Sequence, residues 1–166
     1  MSTLFGRRLE WVLPLALAGL LAAAFLSRQT RPEPLTLTTV TGETLTLPDH
    51  GGPVLLNFWA TGCPACLEEM PALERLYHEY RPRGLRIVAV AMPYDPPNRV
   101  MAFVERRRPP YPVALDPSGR ISAAFQVRLI PTWILLGPDA RILWRHTGIP
   151  DMARLETLLQ NHLERG

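Results

Sequence analysis

The stretch VLLNFWATGCPACLEEMPALERLY, residues 54–77, decides the fold of this chain. Its first seven residues are apolar except for Asn57, which is typical of a β-strand buried on both faces. After a two-residue turn, apolar side chains recur at helical spacing between residues 66 and 80. The only two cysteines of the chain, Cys63 and Cys66, lie where the strand passes into the helix. The stretch therefore predicts a strand–turn–helix unit with both thiols at the start of the helix.

The spacing of the two cysteines indicates redox chemistry. Cys63 falls at or next to the helix N-cap, and Cys66 lies one turn deeper on the same face. Unpaired N–H groups and the helix dipole favour a thiolate there, so we expect the pKa of Cys63 to lie below the free value of about 8.5. Cys63 would attack a disulfide, and Cys66 would resolve the mixed disulfide. The alternative is an inert structural disulfide, which adds little stability when it closes so small a loop.

The remaining sequence predicts an α/β layer sandwich around a central mixed sheet. Alternating and continuous apolar runs predict strands at Leu35–Val40, Glu43–Leu47, Val54–Ala60, Leu85–Met92, Val113–Leu115, Thr132–Leu136 and Arg141–His146. Helical spacing predicts helices at Cys66–Tyr80, Val100–Arg108, Ile121–Phe125 and after a capping Asp151. The first two strands form a hairpin, and Pro71 is expected to kink its helix without ending it.

The N-terminus predicts a membrane signal. Two arginines precede the uncharged run Trp11–Leu26 and two follow it. As a helix these 16 residues span about 24 Å, less than the roughly 30 Å of a hydrocarbon core. The Ala22–Ala24 segment offers a cleavage site, so an anchor and a cleaved signal both remain open. We expect residues 1–31 to be a signal-anchor or signal peptide and residues 32–166 to form a domain in the periplasm, tethered to the inner membrane unless cleaved.

Composition excludes several function classes. The net charge of +3 belongs to residues 1–31, because residues 32–166 hold fourteen arginines and fourteen acids. A neutral domain lacks the electrostatic footprint of a nucleic-acid-binding protein. Two cysteines form neither a disulfide scaffold nor a complete tetrahedral zinc site. No metal site is predicted, since the four histidines share no ligand-like spacing: His50, His78, His146 and His162.

Four segments carry a family resemblance. They are NFWATGCPAC at residues 57–66, Glu69–Pro71, Ile130–Thr132, and Gly148 after the last strand. Together they resemble the TlpA/ResA branch of the thioredoxin superfamily over residues 35–165. The resemblance implies a thioredoxin-like three-layer α/β/α sandwich, to which the hairpin and the N-terminal helix are additions.

The same resemblance assigns roles around the dithiol. It implies that Cys63 is the nucleophile, that Cys66 is the resolving thiol, and that Pro131 is a cis-proline facing them. Without the resemblance, a trans bond at Ile130-Pro131 would be favoured by base rate. A substrate would add as a strand beside Ile130. No cofactor is implied beyond the Cys63–Cys66 disulfide itself.

Two further residues complete the predicted substrate-binding set, which also contains Ile130 and Pro131. The family usually has Trp directly before the first cysteine, whereas this chain has Gly62. Glycine removes an apolar lip beside the sulfur and should loosen the turn. Trp59 lies on the preceding strand, close enough to the dithiol to report on its redox state.

A proton relay is harder to assign from sequence. Asn57 stands where cytoplasmic thioredoxins have a buried Asp, and an amide cannot take the proton of the resolving thiol. Some relatives have a carboxylate after the second buried strand, and Asp95 is the nearest candidate for it, although the position is more typical of a turn residue that starts the next helix. Glu68 and Glu69 are expected at solvated helix positions, where they would oppose thiolate formation if they faced Cys63.

The resemblance implies a monomeric extracytoplasmic reductase of protein disulfides, serving cytochrome c maturation or copper-site assembly. A membrane electron carrier of the DsbD/CcdA kind would recharge it. Two alternatives remain open from sequence: a thiol oxidant of opposite redox poise, and an assembly protein that binds Cu(I) through its two thiolates. A peroxidase is disfavoured because the cysteines are vicinal and no separate peroxidatic cysteine exists.

Overall fold

The computed structural model describes residues 35–47 and 51–163. Its strands build one seven-stranded mixed sheet in the order β2-β1-β5-β4-β3-β6-β7. The strands are β1 Leu35–Thr39, β2 Thr44–Leu47, β3 Val54–Trp59, β4 Arg86–Ala91, β5 Val113–Leu115, β6 Thr132–Leu136 and β7 Ile142–Thr147. The predicted hairpin is formed by β1 and β2, and β1 joins the central sheet by pairing antiparallel with β5.

Four α-helices of the described residues accompany the sheet. They are α1 Pro64–Tyr80, α2 Pro97–Arg107, α3 Arg120–Ala124 and α4 Met152–Leu163, with a short 3₁₀ turn at Arg81–Arg83. Helix α1 continues through Pro71, as predicted. The carboxylate of Asp151 accepts a hydrogen bond from the Arg154 N–H at 3.2 Å, which confirms the predicted cap of the last helix. Helix α2 begins three residues earlier than predicted, because Pro97 fits the first turn of a helix.

Strand directions bring three loops to one edge of the sheet. Strands β3 and β4 are parallel, so the turns that follow Trp59 and Ala91 leave at the same edge. Strand β6 runs antiparallel to β3 and pairs Thr132 with Phe58. The segment that precedes β6 therefore reaches that same edge. The fold thus collects the cysteines, the Asp95 loop and Pro131 from separate parts of the sequence.

The central strands are buried on both faces, and alternate side chains build two separate cores. One core contains Leu55 and Trp59 of β3 and lies under α1, α2 and α4. The other contains Leu56 and Phe58 and is covered by the hairpin and the short helix α3. The predicted α/β sandwich with a central mixed sheet is therefore confirmed, with one helical layer much larger than the other.

The burial of the tryptophans differs between the central strands and the edge of the sheet. Trp59 and Trp133 are fully buried, as predicted. Trp144 was also expected in the core but is only half-buried, because β7 is an edge strand with much of its surface exposed. Its ring stacks on the imidazole of His146, with ring centroids 5.8 Å apart.

The predicted signal segment, residues 1–31, lies outside the described residues. Over residues 35–47 and 51–163, no helix has both the length and the apolar character needed to span a membrane.

Candidate active site

The two cysteines form a disulfide at the N-terminus of α1. Cys63 is the N-cap residue, and its sulfur accepts a hydrogen bond from the Cys66 N–H at 3.2 Å. This confirms the predicted placement of Cys63, where backbone N–H groups favour a sulfur anion. Cys63 is partly exposed whereas Cys66 is buried, so an incoming disulfide reaches the Cys63 sulfur first.

Asp95, in the loop after β4, is hydrogen-bonded to the turn that precedes Cys63. One carboxylate oxygen accepts the Thr61 N–H at 2.6 Å, and the other accepts the Thr61 hydroxyl at 2.7 Å. Asp95 is 6% exposed. Because both oxygens are engaged with Thr61, this geometry makes Asp95 a positioning residue for the turn. The proton-relay role of Asp95 stays a prediction from sequence.

The Ile130-Pro131 peptide bond is cis, as the resemblance implied. Hydrogen bonds hold both sides of this segment: the Thr132 hydroxyl donates to the Leu129 carbonyl at 2.7 Å, and the Gly148 N–H donates to the Pro131 carbonyl at 2.8 Å. The backbone N–H and carbonyl of Ile130 have no partner within the described part of the chain. Ile130 and Cys63 line the same cleft.

Glu69 departs from its predicted position. It was expected to be solvated, but it is 3% exposed and lies between α1 and the sheet. One carboxyl oxygen accepts a hydrogen bond from the Asn57 amide at 2.7 Å, and the other accepts from the Trp133 indole N–H at 2.8 Å. The prediction for Glu69 was therefore wrong, because two buried donors supply the partners that water would otherwise provide. Glu68, one residue earlier, is exposed as expected.

Burial changes the proton affinity of Glu69. Loss of solvation raises its pKa from 4.5 to about 7, and the hydrogen bonds from Asn57 and Trp133 offset only part of that rise. Glu69 follows Cys66 by three residues, which places both side chains on one face of α1. A group whose pKa lies near neutral pH is thus about one helical turn from the buried cysteine. Asn57, the other predicted relay residue, serves as a donor to Glu69.

Gly62 and Trp59, both predicted to bind substrate, are placed very differently. Gly62 is exposed and lines the cleft beside Cys63. Trp59 is 1% exposed and packs on Phe103 of α2, with ring centroids 5.1 Å apart. Trp59 therefore lies beneath the site and does not reach a partner at the surface, because its strand is covered by α1 and α2.

Taken together, the geometry supports two-electron exchange between thiols and a disulfide. A reachable sulfur lies at a helix N-terminus, a second sulfur is buried one turn deeper, and a carboxyl group with a raised pKa lies on the same helix face. Within the described ranges, no three His, Cys, Asp or Glu side chains are grouped so that they could hold a metal ion. His50, one of the four histidines considered above, lies outside those ranges.

Comparisons with known proteins agree with this chemistry. The model of the family described as Redoxin matches residues 24–159. The chain is 39% identical over 108 residues to the thiol-disulfide oxidoreductase ResA of Halalkalibacterium halodurans. The aligned residues make up 64% of this chain and 61% of that protein. It is 32% identical over 125 residues to ResA of Bacillus cereus, which covers 75% of this chain and 72% of that protein. The predicted resemblance to the TlpA/ResA branch is thereby confirmed.

A solved structure supports the same fold. The solution structure of a Neisseria meningitidis protein described as a thioredoxin superposes with a TM-score of 0.75 at 29% sequence identity. The match covers 80% of this chain and 89% of that chain. This chain spans less than two thirds of the length of ResA from Halalkalibacterium halodurans.

Proposed function

Because the chain belongs to the Redoxin family and carries the dithiol of a thiol–disulfide oxidoreductase, we propose that it reduces disulfides in partner proteins outside the cytoplasmic membrane. One observation carries the proposal: the reachable Cys63 sulfur shares a cleft with Ile130, whose backbone polar groups are unpaired within the described residues. An extended substrate segment that pairs with Ile130 would add as a strand and bring its disulfide to Cys63.

The reaction begins from the reduced dithiol. The Cys63 thiolate attacks one sulfur of the substrate disulfide, and the other substrate sulfur leaves as a thiolate. Cys66 then loses its proton and attacks the Cys63 sulfur of the mixed disulfide. The second substrate thiolate is released, and the Cys63–Cys66 disulfide remains. Two electrons have passed to the substrate, and the disulfide seen here is the product state of the enzyme.

Glu69 is the group best placed to take the Cys66 proton. The Cys66 thiol is buried, so water has little access to it. Glu69 lies one helical turn further on the same face, and its pKa of about 7 lets it exist in both protonation states at neutral pH. The two relay residues predicted from sequence were Asp95 and Asn57. Glu69 is proposed in their place because it shares a helix face with Cys66.

The proposed location and partners are supported by the predicted N-terminal signal and by the family resemblance. Residues 1–31 would anchor the domain to the inner membrane, or be removed to leave it in the periplasm. The substrates would be disulfide-containing proteins of cytochrome c maturation or copper-site assembly. A membrane electron carrier of the DsbD/CcdA kind would return the Cys63–Cys66 disulfide to the dithiol, since each turnover consumes two electrons. The chain would work as a monomer, with the dithiol as its only redox group.

A redox titration of the full chain in detergent tests the direction of electron flow. The chain would be equilibrated with glutathione or dithiothreitol buffers and followed by tryptophan fluorescence and thiol labelling. A midpoint below about −220 mV, nearer thioredoxin than DsbA, supports a reductase. A midpoint near −120 mV contradicts the reductase and makes the chain an oxidant of its partners. Stoichiometric Cu(I) retention by a chain that leaves disulfides unchanged would instead indicate a copper-binding assembly protein.

A further inference from the structure

We propose that the cleft beside Cys63 is a subsite for an aromatic side chain of the substrate, carried two residues away from the cysteine that Cys63 attacks. The inference rests on the proposed function, because it concerns how a disulfide substrate is chosen. It names Gly62 and Tyr94 as the residues that determine this preference.

The cleft is small and partly apolar. Its volume is about 160 Å³, and one wall contains Cys63, whose sulfur is the proposed nucleophile. The other lining residues that matter to its chemistry are Gly62, Tyr94, Asp95, Pro96, Arg99 and Ile130. A ring or chain that enters this cleft is therefore held within a few ångströms of the attacked bond, where binding energy affects the rate of exchange.

Gly62 lines the cleft and adds no side chain to it. A Cβ built on Gly62 meets no atom within 4 Å, and the residue is exposed, so the surrounding structure would accept a side chain there. Gly62 does not adopt the positive φ that only glycine favours, so the backbone would also accept one. Because Gly62 lines the cleft, we expect a side chain much larger than a methyl group at this position to occupy part of its volume.

Tyr94 supplies a surface for a ring. It is 65% exposed, and it packs against no other aromatic ring of the described residues. Pro96 and the side chain of Ile130 add further apolar surface to the same cleft. Exposed apolar groups around a reactive sulfur favour an apolar, flat occupant, because such a group buries area on several sides at once.

The two charged residues of the cleft have opposite signs. Asp95 and Arg99 together give the cleft no net formal charge that would select an ionised substrate group. Both Asp95 oxygens are already engaged with Thr61. Arg99 forms no ion pair within the described part of the chain, and a guanidinium without a partner stacks well on a neutral ring.

Strand geometry fixes which substrate residue enters. If the substrate is extended beside Ile130, its cysteine side chain points toward Cys63 and its immediate neighbours point the opposite way. The residues two positions away point to the same side as the cysteine, about 7 Å along the strand. One of these two residues faces the cleft, and the proposal assigns the aromatic ring to it.

The test uses short synthetic peptides with a single cysteine held in a mixed disulfide with thionitrobenzoate. Reduced full chain in detergent is mixed with each peptide, and release of the coloured thiolate gives a second-order rate constant. Peptides carry Phe, Ala, Glu or Lys two residues before or after the cysteine. We expect Phe at one of these positions to react about tenfold faster than Ala, with Glu and Lys close to Ala. Rates equal within about twofold, or a preference for Glu or Lys, would overturn the subsite.

Variants connect the preference to the cleft. Gly62→Leu should reduce the Phe-to-Ala rate ratio to below about threefold, whereas Gly62→Ala should preserve most of it. Tyr94→Ala should lower the same ratio, and Met101→Ala, which removes a half-exposed side chain on α2 away from the cleft, should leave it unchanged. A ratio that survives both Gly62→Leu and Tyr94→Ala contradicts the assignment to this cleft.

The two proposals fail in different ways. If the unchanged chain reduces none of the peptides, the reductase proposal itself is wrong. If it reduces all peptides at one rate, the reductase proposal stands and the aromatic subsite is wrong. Because the readout is a ratio between peptides on the same protein sample, a partly inactive preparation does not alter the result.

Discussion

The two sulfurs of one disulfide face different environments. On the Cys63 side the protein is open: Gly62 has no side chain, and a cleft separates the sulfur from Tyr94. On the Cys66 side it is closed, since the sulfur is 1% exposed and the next turn of α1 carries Glu69 into the core. The open side offers contacts to a partner, whereas the closed side offers a place to hold a proton.

This difference supports the different roles proposed for the two thiols. Nucleophilic attack on a large substrate needs a sulfur that a protein can approach, and the Cys63 sulfur is the more exposed of the two. Resolution needs a thiolate generated out of contact with water, and on the closed side Glu69, whose pKa is raised, is the group proposed to take the proton. The four predictions that follow concern substitutions on the Cys63 side or on the Cys66 side and their effects on activity and stability.

The largest effect on activity is expected from replacing each cysteine by serine in turn. Cys63→Ser should abolish disulfide reduction, because the remaining thiol is buried. Cys66→Ser should also stop turnover, but it should accumulate a mixed disulfide with the substrate, since attack proceeds and resolution cannot. Non-reducing gels and mass spectrometry of each variant with an excess of a disulfide-bonded substrate distinguish the two outcomes.

Accumulation of a mixed disulfide on Cys63→Ser would reverse the assignment of the two sulfurs. Equal accumulation of a mixed disulfide on both variants would mean that a substrate reaches the Cys66 sulfur as readily as the Cys63 sulfur. Either result would remove the basis of the comparison.

The second effect concerns the closed side. The folded-state pKa of Glu69 is raised to about 7 from 4.5, so the fold favours the protonated carboxyl. Its contribution to stability is fully present below pH 4.5 and is lost as pH rises through 7. A shift of this size corresponds to about 3 kcal/mol. The free energy of unfolding of the wild-type chain should therefore fall by about that amount, relative to Glu69→Gln, between pH 4.5 and pH 8.

The measurement is urea unfolding of the oxidised chain at a series of pH values, so that neither cysteine titrates. Glu68→Gln is the matched control, because it removes the neighbouring carboxylate from an exposed position of the same helix. It should leave the pH profile of the wild type unchanged. A wild-type profile parallel to that of Glu69→Gln would show that Glu69 titrates in the fold as it does in water.

Glu69 also shows where reasoning from sequence stopped. Position 69 falls between Cys66 and Met70 on the apolar stripe of α1, so the helical spacing alone places it on the buried face. Its charge led to the opposite prediction, because a buried carboxylate needs donors that come from distant strands. Asn57 on β3 and Trp133 on β6 become neighbours only when β3 pairs with β6. Sequence spacing could have indicated the burial, but not the two donors.

The fold itself was more predictable, because its signals are local. The apolar run of β3, the spacing of α1 and the cap of α4 each depend on residues close together in the chain. The exposure of Trp144 depends on strand order, since the same apolar pattern would be buried if another strand covered β7. Anchoring of Thr61 by Asp95 depends on a contact between residues 34 positions apart, which no local pattern contains.

The third effect lies on the open side and concerns the turn before Cys63. Asp95→Ala removes both acceptors of Thr61 and should cost roughly 2 kcal/mol of stability. Thr61→Val removes only the hydroxyl bond and should cost about half as much. Urea unfolding gives both values, and hydrogen exchange at the Thr61 amide should accelerate in Asp95→Ala but much less in Thr61→Val. Asp139→Ala, which removes a carboxylate from an exposed ion pair, is the control and should change stability by less than about 0.5 kcal/mol.

This result separates positioning from proton transfer for Asp95. If Asp95 holds the turn, the amide of Thr61 becomes more mobile in Asp95→Ala and the peptide-reduction rate falls at every pH. Slow, unchanged exchange at Thr61 together with a rate loss confined to one pH range would return Asp95 to the relay that was predicted from sequence.

The smallest effect refines the closed side and depends on a single hydrogen bond. The Trp133 indole donates to Glu69 and lowers the pKa of Glu69, opposing part of the rise caused by burial. Trp133→Phe removes that donor, so the pKa of Glu69 should rise further and the pH at which stability is lost should move upward. A smaller ring also leaves space in the core, but that cost does not vary with pH. Trp144→Phe, on the edge strand, should leave the midpoint in place. A midpoint that Trp133→Phe leaves unchanged would mean that Asn57 alone stabilises the Glu69 anion, so that one donor on the closed side opposes the effect of burial instead of two.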